Sequence, residues 1–123
     1  MFMSSKISGI VRRHKGRGKK LGFPTANIEV NNKVKDGIYI AAVGPMELSA
    51  LVFIGTAQTF GENKRWAEIY ILDFDEDIYG ERIEVKLIKK VRENQKFDSE
   101  KDLIEQMKED EKQAREYFEK PEN

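Results

Sequence analysis

Apolar residues recur in short strand-like runs over roughly the first ninety positions and at helical spacing after them, and this change of period divides the chain. Lys6 to Val11 puts Ile7 and Val11 on one side with Gly9 between them, a short strand with a close approach or bulge at the glycine. Ala26 to Val30 resumes as a strand, and Asn31-Asn32 with the lysines after them reads as a turn. Ile38 to Val43 is β-branched and aromatic, the composition of a buried strand. Gly44-Pro45 closes it and Leu48 to Ile54 follows, so a hairpin is expected around Gly44 to Glu47. Arg65 to Phe74 alternates, with Trp66, Glu68, Tyr70 and Leu72 on one face and Ala67, Ile69 and Ile71 on the other. Glu84 to Val91 is the next strand.

Ser99 to Glu119 is predicted as a helix, with capping spacing between Ser99 and Asp102 and Pro121 just past the end. Leu103, Ile104, Met107, Ala114, Tyr117 and Phe118 trace one stripe, interrupted at Asp110. That stripe reads as a docking face. Five or six short antiparallel strands followed by one helix favour a mainly β protein, a small closed or nearly closed barrel, over a doubly wound sheet.

The length of 123 residues suits a single domain spanning the chain, with the barrel from about residue 6 to 92 and the helix from about 99 to 119. There is no cysteine, so disulfides and thiolate metal sites are excluded. No apolar run reaches membrane-spanning length, and the first residues lack the layout of a signal peptide. A cytoplasmic protein with no membrane partner is expected. Charge is balanced, 22 basic against 22 acidic residues, but the signs are segregated. Arg12 to Lys20 carries six cations and no acid, whereas Glu93 to Asn123 carries eleven acids against six cations. The positive patch is therefore local and aimed at a small anion, where a general nucleic-acid binder would be basic overall.

Within that patch lies GRGKKLGFPTAN, Gly16 to Asn27. Gly16, Gly18 and Gly22 free backbone N–H groups to face an anion, and Arg17, Lys19 and Lys20 add charge at the same place. The spacing fits neither a Walker A loop nor a dinucleotide fingerprint. A basic glycine loop also serves as a solvated or nucleic-acid-touching loop, so composition alone leaves both readings open. Pro24 stiffens the exit from the loop, and in the extended segment after it Thr25 and Asn27 project on one side. A hydroxyl and an amide carbonyl are hard neutral donors suited to Mg²⁺, although the same residues commonly satisfy backbone groups at strand ends.

Glu68 stands on a mainly apolar strand face between two aromatics, where an unpaired carboxylate is expensive. It is either functional, or paired with a cation, or on an edge facing water. Asp73 to Gly80 is acidic but lacks the order of an EF-hand loop and reads as a connection. Gly55 to Gly61 is a polar loop long enough to carry function, and the single histidine, His14, reads as a loop residue.

Taken in order, these stretches resemble the riboflavin kinase family: Gly9-x-Val11, then G-x-x-x-G-x-P-T-A-N ending at Asn27, G-x-x-x-T-F from Gly55, E-x-x-I-x-D-F-D-x-D-x-Y-G from Glu68, R-x-x-x-K-F from Arg92, and a C-terminal amphipathic helix. The likeness runs from Gly9 to Phe118, nearly the whole chain. It is to the ATP:riboflavin 5′-phosphotransferase that stands alone in eukaryotes and forms the C-terminal half of bacterial FAD synthetases.

The resemblance implies a six-stranded Greek-key barrel with a helix across it that uses ATP and Mg²⁺, with Zn²⁺ as the alternative metal, to convert riboflavin into FMN. It implies that Thr25 and Asn27 hold the metal and that Gly16 to Gly22, leading into Pro24, covers the nucleotide phosphates. Glu68 would be the general base for the ribityl 5′-hydroxyl, and Arg92 and Phe97 would lie near the flavin. A monomer that binds riboflavin, FMN, ATP and ADP but no nucleic acid is expected. With nothing before Gly9 that could be an adenylyltransferase domain, the expected product is FMN and not FAD. Gln58, Tyr70 and Asn94 depart from the family's usual proline, histidine and acidic residue. Two rivals stand beside this reading. One is a small-barrel nucleic-acid module with Arg12 to Lys20 as a basic arm and Trp66, Tyr70 and Phe60 as stacking residues. The other is a flavin-binding protein without turnover.

Overall fold

The computed structural model describes residues 5–12, 25–30, 33–56, 64–74 and 76–119. Among these residues six strands, β1 (Ser5–Ile10), β2 (Ala26–Glu29), β3 (Gly37–Gly44), β4 (Leu48–Thr56), β5 (Arg65–Ile71) and β6 (Arg82–Arg92), precede one helix, α1 (Glu100–Glu119). They form a single antiparallel sheet in the order β1-β6-β3-β4-β5-β2. Strands β3, β4 and β5 follow one another and β6 returns beside β3, which is the Greek-key arrangement.

The two edge strands then curl toward each other. The Arg12 amide, just past β1, donates to the Asn27 carbonyl of β2 at 2.7 Å, and an isolated antiparallel bridge joins the same residues. The barrel is thereby nearly closed. Gly9 permits the approach: a Cβ there would lie 3.4 Å from the Ile28 Cβ, tighter than most side-chain contacts.

Period-2 alternation explains which residues fill the barrel. Ile7, Ile28, Tyr39, Ala41, Val52, Ile69 and Val85 belong to one buried cluster inside it. The intervening residues Ile38, Ile40 and Leu51 point outward and form a second cluster with Ala114 of α1, flanked by Phe53, Tyr70 and Phe118. β3 is apolar on both faces because one lines the barrel and the other lies under the helix.

The strands occur where the alternation placed them, with shifted ends. β5 stops at Ile71 because Asp73 turns the chain with φ 56°. The expected hairpin joins β3 to β4 through Pro45, Met46 and Glu47. In α1, the Ser99 hydroxyl accepts the Asp102 amide at 3.1 Å, as the capping spacing predicted. Ser99→Ala should therefore lower stability by about 0.5–2 kcal/mol, read as a shift of the urea midpoint at constant slope.

Two details of the predicted stripe differ. Tyr117 is 39% exposed and meets Phe118 edge to face, so it lies beside the docking face and not in it. Asp110, which looked like an interruption, is completely buried within it. Its carboxylate is neutralised by a partner from the barrel, described below.

Candidate active site

Strand register assembles the site. Asn27 pairs with Glu68 across β2 and β5, Glu68 with Phe53 on β4, Phe53 with Ile38 on β3, and Ile38 with Arg92 on β6. Five residues scattered through the chain thus form one row across five strands. Three strand spacings, roughly 14 Å along the sheet, separate Glu68 from Arg92. The carboxylate is therefore next to one end of the row and the guanidinium at the other.

Above the row is a cavity of about 180 Å³ between the outer face of the barrel and α1. Its floor is Thr25, Glu68, Phe53, Ile38 and Arg92, and its other walls are Asn94, Gln95 and Phe97 from the β6–α1 connection and Leu103 and Met107 from the helix. Whole ligand sites typically measure about 300–1,000 Å³, so this space takes part of a ligand. It is apolar in the middle and ionic at both ends.

At one end the Thr25 hydroxyl donates a long hydrogen bond to Glu68 Oε1, 3.5 Å. Directing its proton at the carboxylate leaves the hydroxyl's lone pairs for a cation. Beside them Asn27 is 2% exposed, and its Oδ1 has no hydrogen-bond partner among the described residues. A buried amide carbonyl in that condition costs about 1–3 kcal/mol, which a bound cation would offset. These neutral oxygens fit a metal that takes its negative charge from a nucleotide. No cluster of three or more His, Cys, Asp or Glu residues able to hold a metal occurs among the described residues.

At the other end Arg92 is gripped from the helix. Its Nε donates to Asp110 Oδ1 at 2.9 Å and its Nη2 to Asp110 Oδ2 at 2.7 Å, a two-pronged pair. Gln106 Nε2 donates to the same Oδ1 at 3.0 Å, and the guanidinium lies 5.9 Å from the centre of the Phe97 ring. Asn94 Nδ2 donates to the Ile54 carbonyl at 2.9 Å. Gly55 leaves room for this amide, since a Cβ there would stand 3.1 Å from Nδ2.

Of the residues singled out from the sequence, Thr25, Asn27 and Glu68 are brought together, and Arg92 and Phe97 meet across the cavity. Gly16, Arg17, Gly18, Lys19, Lys20, Gly22 and Pro24 lie outside the described residues, as do Gln58 and Phe60. Trp66 is only 6% exposed, which removes it as a stacking platform for a nucleic-acid base. Tyr70 is covered by α1 and bonds Glu111 Oε1 at 3.3 Å; burial, reinforced by that carboxylate, raises its phenol above the ordinary range.

A family model described as riboflavin kinase matches residues 2–118. The chain belongs to the riboflavin kinase family. A protein named RNA-binding riboflavin kinase RibR, from Bacillus subtilis (strain 168), is 40% identical over 108 residues, which are 85% of this chain and 47% of that protein. A bifunctional riboflavin kinase/FMN adenylyltransferase of Escherichia coli (strain K12) is 37% identical over 117 residues, 91% of this chain and 37% of that one. The chain thus spans less than half the length of either curated relative. The crystal structure of riboflavin kinase from Trypanosoma brucei superposes with a TM-score of 0.66, at 23% identity over 98% of this chain and 83% of that one, a likeness of fold.

For this member of the riboflavin kinase family, sequence reasoning missed Phe53, Ile38, Leu103 and Met107 as cavity residues, because nothing local tells that Glu68 faces Phe53. It also missed Gln106 and the role of Asp110. The signal for Asp110 was present in the break it makes in an otherwise apolar stripe.

Proposed function

We propose that this chain transfers the γ-phosphate of ATP to the 5′-hydroxyl of riboflavin, giving FMN and ADP. The observation that carries the reading is the contact of Thr25 with Glu68 at the ionic end of a cavity whose middle is apolar. A flavin offers the matching asymmetry, a large flat ring joined to a polyhydroxyl chain that ends in the reacting oxygen.

Phosphoryl transfer asks mainly for positioning, charge stabilisation and an acceptor for the hydroxyl proton. Glu68 takes the proton from the 5′-hydroxyl as that oxygen bonds to the γ-phosphorus. The bond from phosphorus to the β–γ bridging oxygen breaks, and ADP leaves with the electron pair. The Thr25 hydroxyl bond fixes the orientation of the carboxylate that takes the substrate proton. Thr25 and Asn27 Oδ1 would hold Mg²⁺, which would supply positive charge to offset that of the phosphates. Mg²⁺ is favoured over Zn²⁺ by the neutral oxygen donors. The basic glycine segment from Gly16 to Gly22 would cover the phosphates.

We further propose a monomer that works in the cytoplasm, a location that suits the cysteine-free composition; no helix among the described residues is long and apolar enough to cross a membrane. Incubation with riboflavin, ATP and Mg²⁺ should yield FMN and ADP in equal amounts by chromatography; flavin bound but unphosphorylated would overturn the assignment. Asn27→Ala should remove the Mg²⁺ dependence of ATP binding in calorimetry while leaving the melting temperature at or above its original value. The unsatisfied buried carbonyl is then gone. A destabilised variant with intact Mg²⁺-dependent binding would show Asn27 to be structural.

A further inference from the structure

We infer that Asp110 and Gln106 of α1 are positioning residues that hold Arg92 in the orientation in which it receives the flavin, an inference that rests on the riboflavin kinase reading. Asn27 and Asp110 are the buried polar residues among those described, and they flank opposite ends of the row. Asn27 serves the phosphate end. Asp110 has no counterpart there and makes no contribution to the transfer itself, so its place in the helix requires another explanation.

Docking the helix does not supply one. The neighbouring positions of the stripe, Met107, Ala114 and Phe118, are apolar and pack against the barrel without charge. A buried ion pair is commonly no more stabilising than well-packed apolar residues of the same volume, because desolvation offsets the Coulomb gain. What the pair adds is direction. Asp110 engages the guanidinium through Nε and Nη2, Gln106 fills a further lone pair of Oδ1, and Phe97 faces the guanidinium. Nη1 also donates to the Glu93 carbonyl at 3.1 Å.

Arginine has five N–H groups, and these bonds use three. One N–H on each Nη is left without an acceptor among the described residues, on a side chain that lines the cavity. Two fixed donors at the end remote from Glu68 suit the acceptor atoms of a flavin ring. The rotamer entropy of a free arginine is lost before the ligand arrives, so binding does not have to supply it. The helix therefore takes part in substrate recognition through a residue that never touches the substrate.

The test uses the whole chain and compares Asp110→Asn, Gln106→Leu, Arg92→Lys and the double variant Arg92→Lys/Asp110→Asn. Asp73→Asn is the control, since it breaks the ion pair of Asp73 with Arg115 on the same helix away from the cavity. Riboflavin affinity is read by quenching of flavin fluorescence, alongside KM for ATP, kcat and melting temperature. Asp110→Asn should weaken riboflavin binding about tenfold or more, the scale of coupling between contacting residues, with KM for ATP unchanged. Arg92→Lys should lose as much, and the double variant no more than Arg92→Lys alone. Asp73→Asn should bind riboflavin as the unaltered protein does.

Unaltered riboflavin affinity in folded Asp110→Asn, additive losses in the double variant, or an equal loss in Asp73→Asn would each overturn the inference. If Asp110→Asn does not fold, Gln106→Leu decides: weaker riboflavin binding at an unchanged melting temperature supports the positioning role, and unchanged binding overturns it. Failure of the unaltered protein to bind riboflavin would instead remove the kinase reading on which the inference stands.

Discussion

Glu68→Gln is expected to bind riboflavin and ATP normally and to turn over about 10²–10⁴ times more slowly, the usual loss when a general base is removed. The amide keeps the size of the side chain and can still accept the Thr25 hydrogen bond, so the cavity floor should remain intact. What it cannot do is take a proton from the 5′-hydroxyl. The loss should therefore fall on kcat and kcat/KM together, with dissociation constants for both substrates little changed. Rapid-quench measurement of FMN formation in a single turnover isolates the chemical step. A variant that phosphorylates riboflavin at the original rate would exclude Glu68 as base; one that no longer binds riboflavin would make it a binding residue.

The second large effect is on stability. Asp110→Ala should destabilise the protein by about 3–5 kcal/mol, because it strands the Arg92 guanidinium beside the core and leaves a void under the helix. The asymmetry of such pairs provides the check. Replacing both partners, Arg92→Met with Asp110→Leu, removes the desolvation cost along with the attraction and should recover most of the loss. Chemical denaturation of these two variants beside the unaltered protein measures this directly. Equal destabilisation in the single and double variants would show that the ion pair itself, and not the stranded charge, holds α1 in place. The recovered double variant should still bind riboflavin poorly, since it has regained packing but no donors.

The barrel was legible because each strand carries its own period. Ala67, Ile69 and Ile71 inside and Glu68 and Tyr70 outside follow from alternation alone. Thr25 and Asn27 were legible for the same reason, being two residues apart in an extended segment. Register was not. That Glu68 faces Asn27 on one side and Phe53 on the other depends on how β2, β4 and β5 align, which no stretch of sequence encodes by itself. Asp110 was misread for a related reason: a helical wheel shows that it lies in the apolar stripe, but its partner comes from the end of β6, 18 residues earlier. Family resemblance supplied roles for single residues; the fold supplies the row that joins them.

That row has a consequence for biosynthesis. Its members enter the chain in the order Asn27, Ile38, Phe53, Glu68, Arg92, so no segment made early contains a working fragment of the centre. Every pairing in it closes a loop of at least a dozen residues, and long-range closures of this kind form late and slowly. On the ribosome the pocket between barrel and helix should stay unformed until α1 has emerged from the exit tunnel.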